Sequence, residues 1–502
     1  MADRPTRRPG TSTSNFGVGR RENHDASGFY DRFGAPVISK DATVNVAPVV
    51  DRIWVQDASD MSALPDNSVA LVVTSPPYFA GKAYEEALGE GHIPATYVDY
   101  LEMLDAVFSE CVRVLEPGGR IAVNVANLGR KPYRSLSADV THILQDRLGL
   151  LLRGEIIWQK ATGAGGNCAW GSFRSAKNPV LRDLTERVIV ASKGRFDRAQ
   201  TTAERVAAGL PSASTIGKDK FLDLTLDVWD FPPESATRVG HPAPFPKELP
   251  ARLIELYTFE GDLVLDPFMG SGSTGVAAVE SGRRYAGFDT EASYAEAATA
   301  RIEQAREEHE WELKQASQVR LPPLFAELTK ASQAKANELV DFQRRSTRDG
   351  SRAQELARYL LEQCGFGESL VEREKRKVGV EVNFTAVDAD GCEWLFDVSG
   401  AFSSTRPGLK RTDTLWKALG KAAILRTASD AQRPCRLVLL TTDIPPRGSA
   451  GGKALHAAQA DGLVWDILVL SQPDTVAELL HYASGRRSDP QHRRAVPTAY
   501  SS

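Results

Sequence analysis

From Val49 to Lys193 short β-branched runs alternate with longer amphipathic stretches. "RIWVQ", "VALVVT", "GRIAVNV", "EIIWQK" and "RVIVASK" have the length and composition of strands, and "YVDYLEMLDAVFSECVRVL" between the second and third reads as a helix. That rhythm predicts a mostly parallel α/β sheet. It lapses over residues 195–240, which are polar and rich in Gly, Ser and Asp, and resumes with a helix at 247–258 and the strand "DLVLDPF". The simplest account is one fold carrying an insert. Residues 1–45 are polar and rich in Gly, Ser and Arg, the composition of a tail without packed structure.

A charged helix, "AEAATARIEQAREEHEWELKQ", then "VRLPPLF" and a second charged stretch to Arg348 form a connector. A smaller domain follows: a helix at 351–363, the strand "VGVEVNFTAV", a turn at "DADG", the strand "CEWLFDVSG", a helix at 413–426 and the strand "CRLVLLTTD". Residues from 486 onward are polar and read as a loose tail. No internal repeat is present.

Composition narrows the classes. A chain of 502 residues exceeds one ordinary core and implies several domains. The formal charge of -4 gives no global footprint for a polyanion, so any such contact must come from local Arg/Lys patches. Five cysteines, at 111, 168, 364, 392 and 435, show no paired spacing and no clustering with histidine, so neither a disulfide framework nor a structural zinc site is suggested. No run of eighteen apolar residues occurs and the N-terminus lacks the apolar core of an export signal, so the expected location is the cytoplasm, with no membrane contact.

Two segments carry the chemistry. "DLVLDPFMGSGSTGVAAVESGRRYAGFDTEASY", residues 262–294, reads strand, glycine loop, helix, strand, acid, the order of a nucleoside-binding βαβ unit. Gly270 and Gly272 allow a tight turn and close approach of backbone N–H groups, Thr274 onward opens the helix, and Asp289 is placed to grip ribose hydroxyls. The loop has neither the GxGxxG dinucleotide fingerprint nor the Lys-Ser/Thr of a P-loop, so it suits a nucleoside cofactor without pyrophosphate, such as S-adenosylmethionine. The other segment is "LVVTSPPYF". Consecutive prolines, Pro76 and Pro77, hold the Ser75 hydroxyl and neighbouring carbonyls in one direction, as acceptors for the hydrogens of an exocyclic amine, with Tyr78 to stack on the base.

With these motifs in this order, the chain resembles the β group of S-adenosylmethionine-dependent DNA amino-methyltransferases, which modify N4 of cytosine or N6 of adenine. The resemblance runs from about Val49 to Arg301 and includes "VQDASDMSALPDNSVALVVTSPPY", "DVWDFPPESATRVGHPAPFP" and "DPFMGSGST". It implies a Rossmann-like methyltransferase sheet with permuted motif order, the catalytic motif preceding the cofactor motif. It also implies cofactor contacts from Asp57, Pro246, Asp266, Phe268, Gly270, Gly272 and Asp289, and a catalytic set of Ser75, Pro76, Pro77 and Tyr78. Gln56 stands where the family usually has glycine. Serine before the two prolines is typical of the cytosine-N4 enzymes, so that base is expected, with adenine N6 as the alternative. Methylation at carbon 5 would need a thiolate, and Cys435 of "RPCRL" lies far outside the cofactor half.

The implied partner is double-stranded DNA, in a restriction-modification or phage-defence system with its restriction partner proteins. Flipping a base out of the duplex costs a few kcal/mol, which basic residues offset. Arg130, Lys131 and Arg134 of "LGRKPYRS", Arg174 and Lys177 of "WGSFRSAKNP", and Arg195 and Arg198 are the candidates. Target recognition is expected in the 195–240 insert, helped by the loop at 161–183.

The second domain is similar to the PD-(D/E)xK nuclease fold, a restriction-endonuclease-like α/β arrangement. Glu355, Glu381 and Asp397 fall at its acidic positions, but the triplet is "DVS", with Ser399 where the lysine belongs. A degenerate DNA-binding or scaffolding version is therefore expected over a cleaving one, with Lys410 or Lys417 as possible substitutes. No metal is assigned. The expected domains are 46–315 for methyl transfer, 316–350 for the connector and 351–485 for the nuclease-like part. A bifunctional methyltransferase-endonuclease and a non-catalytic DNA-binding protein are the remaining alternatives.

Overall fold

The computed structural model describes residues 37–77, 96–127, 133–160, 175–179, 181, 184–233, 246–319, 353–400, 408–427, 435–446 and 449–486. The chain divides into two compact units: residues 1–216 with 221–305, and residues 306–502 with 217–220.

The first unit is built on eight strands: β1 Arg52–Val55, β2 Val69–Thr74, β3 Leu115–Val125, β4 Leu151–Gln159, β5 Thr185–Ser192, β6 Val228–Asp230, β7 Leu263–Asp266 and β8 Arg284–Asp289. They lie in the order β1-β8-β7-β2-β3-β5-β4-β6. The sheet is mixed: pairings are parallel except at β5, which runs antiparallel to both β3 and β4. The helices packed with it include α1 Tyr97–Val114, α2 Leu136–His142, α3 Thr202–Ala207, α4 Glu248–Tyr257, α5 Ser273–Glu280 and α6 Ala292–Gln318. Helix α1 begins at a reciprocal cap in which Thr96 accepts from Asp99 N and the Asp99 carboxylate accepts from Thr96 N.

Both faces of the sheet are covered, which is why its strands read as unbroken apolar runs. On one face Tyr100, Leu104 and Phe108 of α1 pack with Val72, Ile121, Val123, Leu265 and Phe288. On the other Leu253 and Ile254 of α4, Val276 of α5 and Ile302 of α6 pack with Leu71, Val73, Ala122, Val264 and Tyr285.

The segment set apart as an insert contributes to this sheet. Residues 228–230 form β6, parallel to β4. The Arg252 guanidinium lies over the rings of Trp229 and Phe231, and Trp158 stacks on Phe231 at 5.1 Å. Arg198, expected among the phosphate contacts, is instead turned inward beside the buried Arg205 in a four-membered charge cluster. Arg198 pairs with Glu116 and, at 3.0 Å, with Asp262, while Arg205 reaches Asp262 at 2.8 Å and Glu116 at 3.4 Å. Arg195 donates to the Asp41 carbonyl. Residues 37–45, read from the sequence as the end of a tail, are tied to the unit by Ser39 N to Gly194 O and Asn45 N to Asn67 O.

The second unit has a five-stranded sheet in the order β13-β12-β11-β10-β9, with β9 Val371–Lys375, β10 Glu381–Val387, β11 Glu393–Ser399, β12 Leu437–Thr441 and β13 Asp466–Val469. The first three strands form an antiparallel meander, and β11, β12 and β13 are parallel. Residues 353–361 are helical, and α7 Thr412–Thr427, α8 Ala450–Ala460 and α9 Pro473–Ala483 complete the unit. Trp394, Phe396, Trp465 and Tyr482 form an aromatic core, with Trp394 and Tyr482 stacked at 4.4 Å. Among the described residues no helix is long and apolar enough to cross a membrane.

Candidate active site

Strands β2 and β7 are neighbours, Leu71 opposite Val264 and Val72 opposite Leu265, so "TSPP" and "DPFMGSGST" emerge side by side at the carboxyl ends of the sheet. That edge is where open α/β sheets receive ligands. Asp266 joins the two motifs. It is fully buried and accepts hydrogen bonds from Thr74 Oγ1 and Thr274 Oγ1, both at 2.7 Å, and from Phe268 N at 3.1 Å. Burial, the largest influence, pushes its pKa up to about 7, against those hydrogen bonds and with repulsion from Asp289 added. The residue thus holds the end of β2, the glycine loop and the first turn of α5 together.

The glycine loop turns as its sequence requires. Gly270 and Gly272 adopt φ of 48° and 79°, in the left-handed region, and Gly272 precedes the first residue of α5. A side chain at 272 would also meet Ala298. Asp289, at the end of β8, accepts from Gly270 N at 2.8 Å and Glu291 N at 3.0 Å, tying the loop to the next strand. Strand β1 runs parallel to β8 with Val55 opposite Asp289, which brings Asp57 to the same edge, where it is exposed and accepts from Ser59 N. Phe268 is half-buried in the loop. Pro246 is buried at the start of α4, its carbonyl accepting from Leu249 N.

Ser75 is half-buried immediately after β2, with Pro76 buried and Pro77 exposed. Its hydroxyl donates to the Asn124 carbonyl at 3.2 Å, and the Asn124 side-chain amide approaches the same oxygen at 3.4 Å. Asn124 also donates to Glu186 at 2.5 Å, and Lys160 pairs with Glu186 at 2.7 Å. Thr74, Asn124, Glu186 and Lys160 were missed by sequence reasoning. The signal available was a polar residue within one position of a terminus of each buried strand.

Tyr78, Arg130, Lys131 and Arg174 lie outside the described residues. Lys177 is exposed. Arg134 is bound to Asp139, which also accepts from Tyr97 at 2.7 Å, yet most of its side chain remains exposed.

In the second unit Glu381 and Asn383 of β10 and Lys417 and Lys421 of α7 line an open cleft of about 400 Å³. Asp397, buried on β11, pairs with Lys421 at 2.7 Å, and burial raises its pKa although Lys421 and Lys417 pull it down. Lys410, a candidate substitute for the motif lysine, is paired with Asp443, whereas Lys421 was not singled out. Ser399 is buried and Glu355 exposed. Among the described residues no three His, Cys, Asp or Glu side chains gather as a metal site would require.

A family model described as DNA methylase, covering N6 and N4 enzymes, matches residues 69–300, the span holding both motifs. The solved structure of TTHA0409, a DNA modification methylase from Thermus thermophilus, is 30% identical, covers 51% of this chain and 95% of that one, and superposes with a TM-score of 0.39. The chain belongs to the N6/N4 DNA methylase family. Type II methyltransferase M.MthZI of Methanothermobacter thermautotrophicus is 29% identical over 274 residues, 50% of this chain and 76% of its own. M.MjaI of Methanocaldococcus jannaschii is 28% identical over 289 residues, 51% of this chain and 91% of its own. TTHA0409 has also been solved in complex with S-adenosyl-L-methionine. As a member of that family the chain acts on DNA.

Proposed function

We propose that this methylase transfers the methyl group to N4 of cytosine in double-stranded DNA, as the modification enzyme of a restriction or phage-defence system. The observation that carries the reading is the commitment of the Ser75 hydroxyl proton to the Asn124 carbonyl, at the sheet edge shared with the glycine loop. A hydroxyl whose proton is already donated meets any further partner as an acceptor. Ser75 and the carbonyls around Pro76 and Pro77 would receive the hydrogens of an exocyclic amine, drawing its lone pair out of conjugation. Tyr78 would stack on the extrahelical base.

S-adenosylmethionine supplies, when bound, a sulfonium methyl group for that lone pair. The chain's own residues suit such a group: Gly270 and Gly272 permit close backbone approach, Asp289 braces the loop, and Asp57 is exposed beside it. Phe268 and Pro246 would complete the cradle, and Asp266 would support it from beneath. Arg134 and Lys177, with Arg130, Lys131 and Arg174, would contact phosphates. Serine before the prolines favours cytosine over adenine N6.

The test is mapping of modified bases by nanopore or mass spectrometry in DNA from cells expressing the chain, beside a Ser75→Ala variant. N4-methylcytosine lost in the variant supports the reading; N6-methyladenine overturns the choice of base, and absence of any modified base overturns the activity.

For the second unit we infer a degenerate nuclease-like domain that binds DNA without cutting it. Support comes from the helix, three-strand meander, helix and parallel strand order, and from the pairing of Asp397 with Lys421 rather than with a motif lysine two residues on. Magnesium-dependent cleavage of unmethylated DNA that is lost in Asp397→Ala would make the chain a bifunctional methyltransferase-endonuclease instead.

A further inference from the structure

Glu186 is a buried acid that the reaction outlined above does not use. It lies on β5, two residues from Val188, the register partner of Asn124 on β3, and therefore faces Asn124 diagonally on the same side of the sheet. One oxygen accepts from Asn124 Nδ2 at 2.5 Å and the other from Lys160 Nζ at 2.7 Å. Asn124 is itself fully buried, and its Oδ1 has no hydrogen-bond partner among the described residues. Leaving a buried acceptor unsatisfied is destabilising. Something must therefore hold the amide in that orientation.

Glu186 does so. An ion-paired carboxylate only accepts, so it selects the NH2 end of the Asn124 amide and turns Oδ1 away. The same NH2 group also faces Ser75 Oγ. With a donor on that side, the Ser75 proton points to the Asn124 backbone carbonyl and the oxygen presents lone pairs. Were the amide reversed, Oδ1 would face the carboxylate and would compete for the Ser75 proton, turning the hydroxyl around. It would then present a proton to an incoming N–H donor.

We propose that Glu186, held by Lys160, is a positioning residue for methyl transfer: through the Asn124 amide it sets the polarity of the Ser75 hydroxyl, making it an acceptor for the target amine. The proposal rests on the reading of Ser75 given above. Glu186 is buried behind Asn124, so the effect assigned to it passes through Ser75.

The experiment is single-turnover transfer of tritiated methyl groups from labelled S-adenosylmethionine to unmodified genomic DNA, for the full chain, Glu186→Gln, Ser75→Ala and the double variant. A glutamine can present its own NH2 to Asn124 and release the amide. The expected result for E186Q is a rate lowered about tenfold, the worth of one oriented hydrogen bond, with the KM for the cofactor changed less than about twofold. In the Ser75→Ala background E186Q is expected to add no further loss, because the group it orients is gone. Lys160→Gln, at a half-exposed side chain, serves the same cycle where E186Q lowers thermal stability, and is expected to show the same dependence on Ser75. An unchanged rate in E186Q, or equal losses with and without Ser75, overturns the role of Glu186. A wild-type chain that transfers no methyl group to any DNA overturns the underlying reading as well.

Discussion

Replacing Asp266 by asparagine should stabilise the first unit more at pH 8 than at pH 5. Burial raises the carboxyl from 3.8 to about 7 in the folded chain, so the folded state binds a proton there that the unfolded state releases. Folding stability from this group is therefore retained below about pH 4, falls as pH rises through the interval between those values, and stays low above about 7. A displacement of about three units corresponds to roughly 4 kcal/mol of cost at pH 8, of which about 2.5 kcal/mol accrues between pH 5 and pH 8, as an order of magnitude. Asparagine matches the protonated acid in shape. Its carbonyl accepts from Thr74 and Phe268 N, and its NH2 can donate to the Thr274 hydroxyl, which rotates to accept. Calorimetry of the full chain and of D266N across pH 5 to 8 measures the difference, in which other titrating groups cancel. The melting temperature of the affected transition should rise relative to wild type by roughly 5–10 °C between the two ends, at roughly 2–4 °C per kcal/mol for a domain of this size. A difference that is the same at both ends would refute the reasoning, since it would mean that Asp266 does not change charge within that interval.

Three other outcomes are expected. Gly272→Ala places a Cβ at positive φ and 3.0 Å from the Ala298 Cβ, and should lower stability by about 1–3 kcal/mol and weaken S-adenosylmethionine binding measured by calorimetric titration. Arg205→Met leaves Glu116 and Asp262 with Arg198 alone, and should cost about 3–5 kcal/mol in thermal or denaturant unfolding. Cys435→Ala, in the second unit, should leave the rate of methyl transfer unchanged; its loss would point to a thiolate mechanism.

The motifs were legible because their chemistry is local. "GSG" permits left-handed backbone wherever it sits, "SPP" restricts its own chain direction, and runs such as "VALVVT" are apolar on both sides because both faces of their sheet are covered. The order strand, loop, helix, strand, acid around Gly270 was likewise contained in consecutive residues. Lys421 was overlooked in favour of Lys410 and Lys417 because selection among three nearby lysines depends on which turn of α7 faces β11.

By itself, then, the sequence determined the element types, the loop chemistry and the family of the reaction, all of which depend on neighbours in the chain. Only the tertiary structure decided which strands lie side by side. That decision sets Thr74 against Asp266 across 192 residues, turns Arg198 inward onto Glu116 and Asp262, and brings Lys160, Glu186 and Asn124 into line behind Ser75. Such partners have no fixed spacing along the chain. A buried charge is stable only where the fold supplies its counterpart, and strand order is what supplies it.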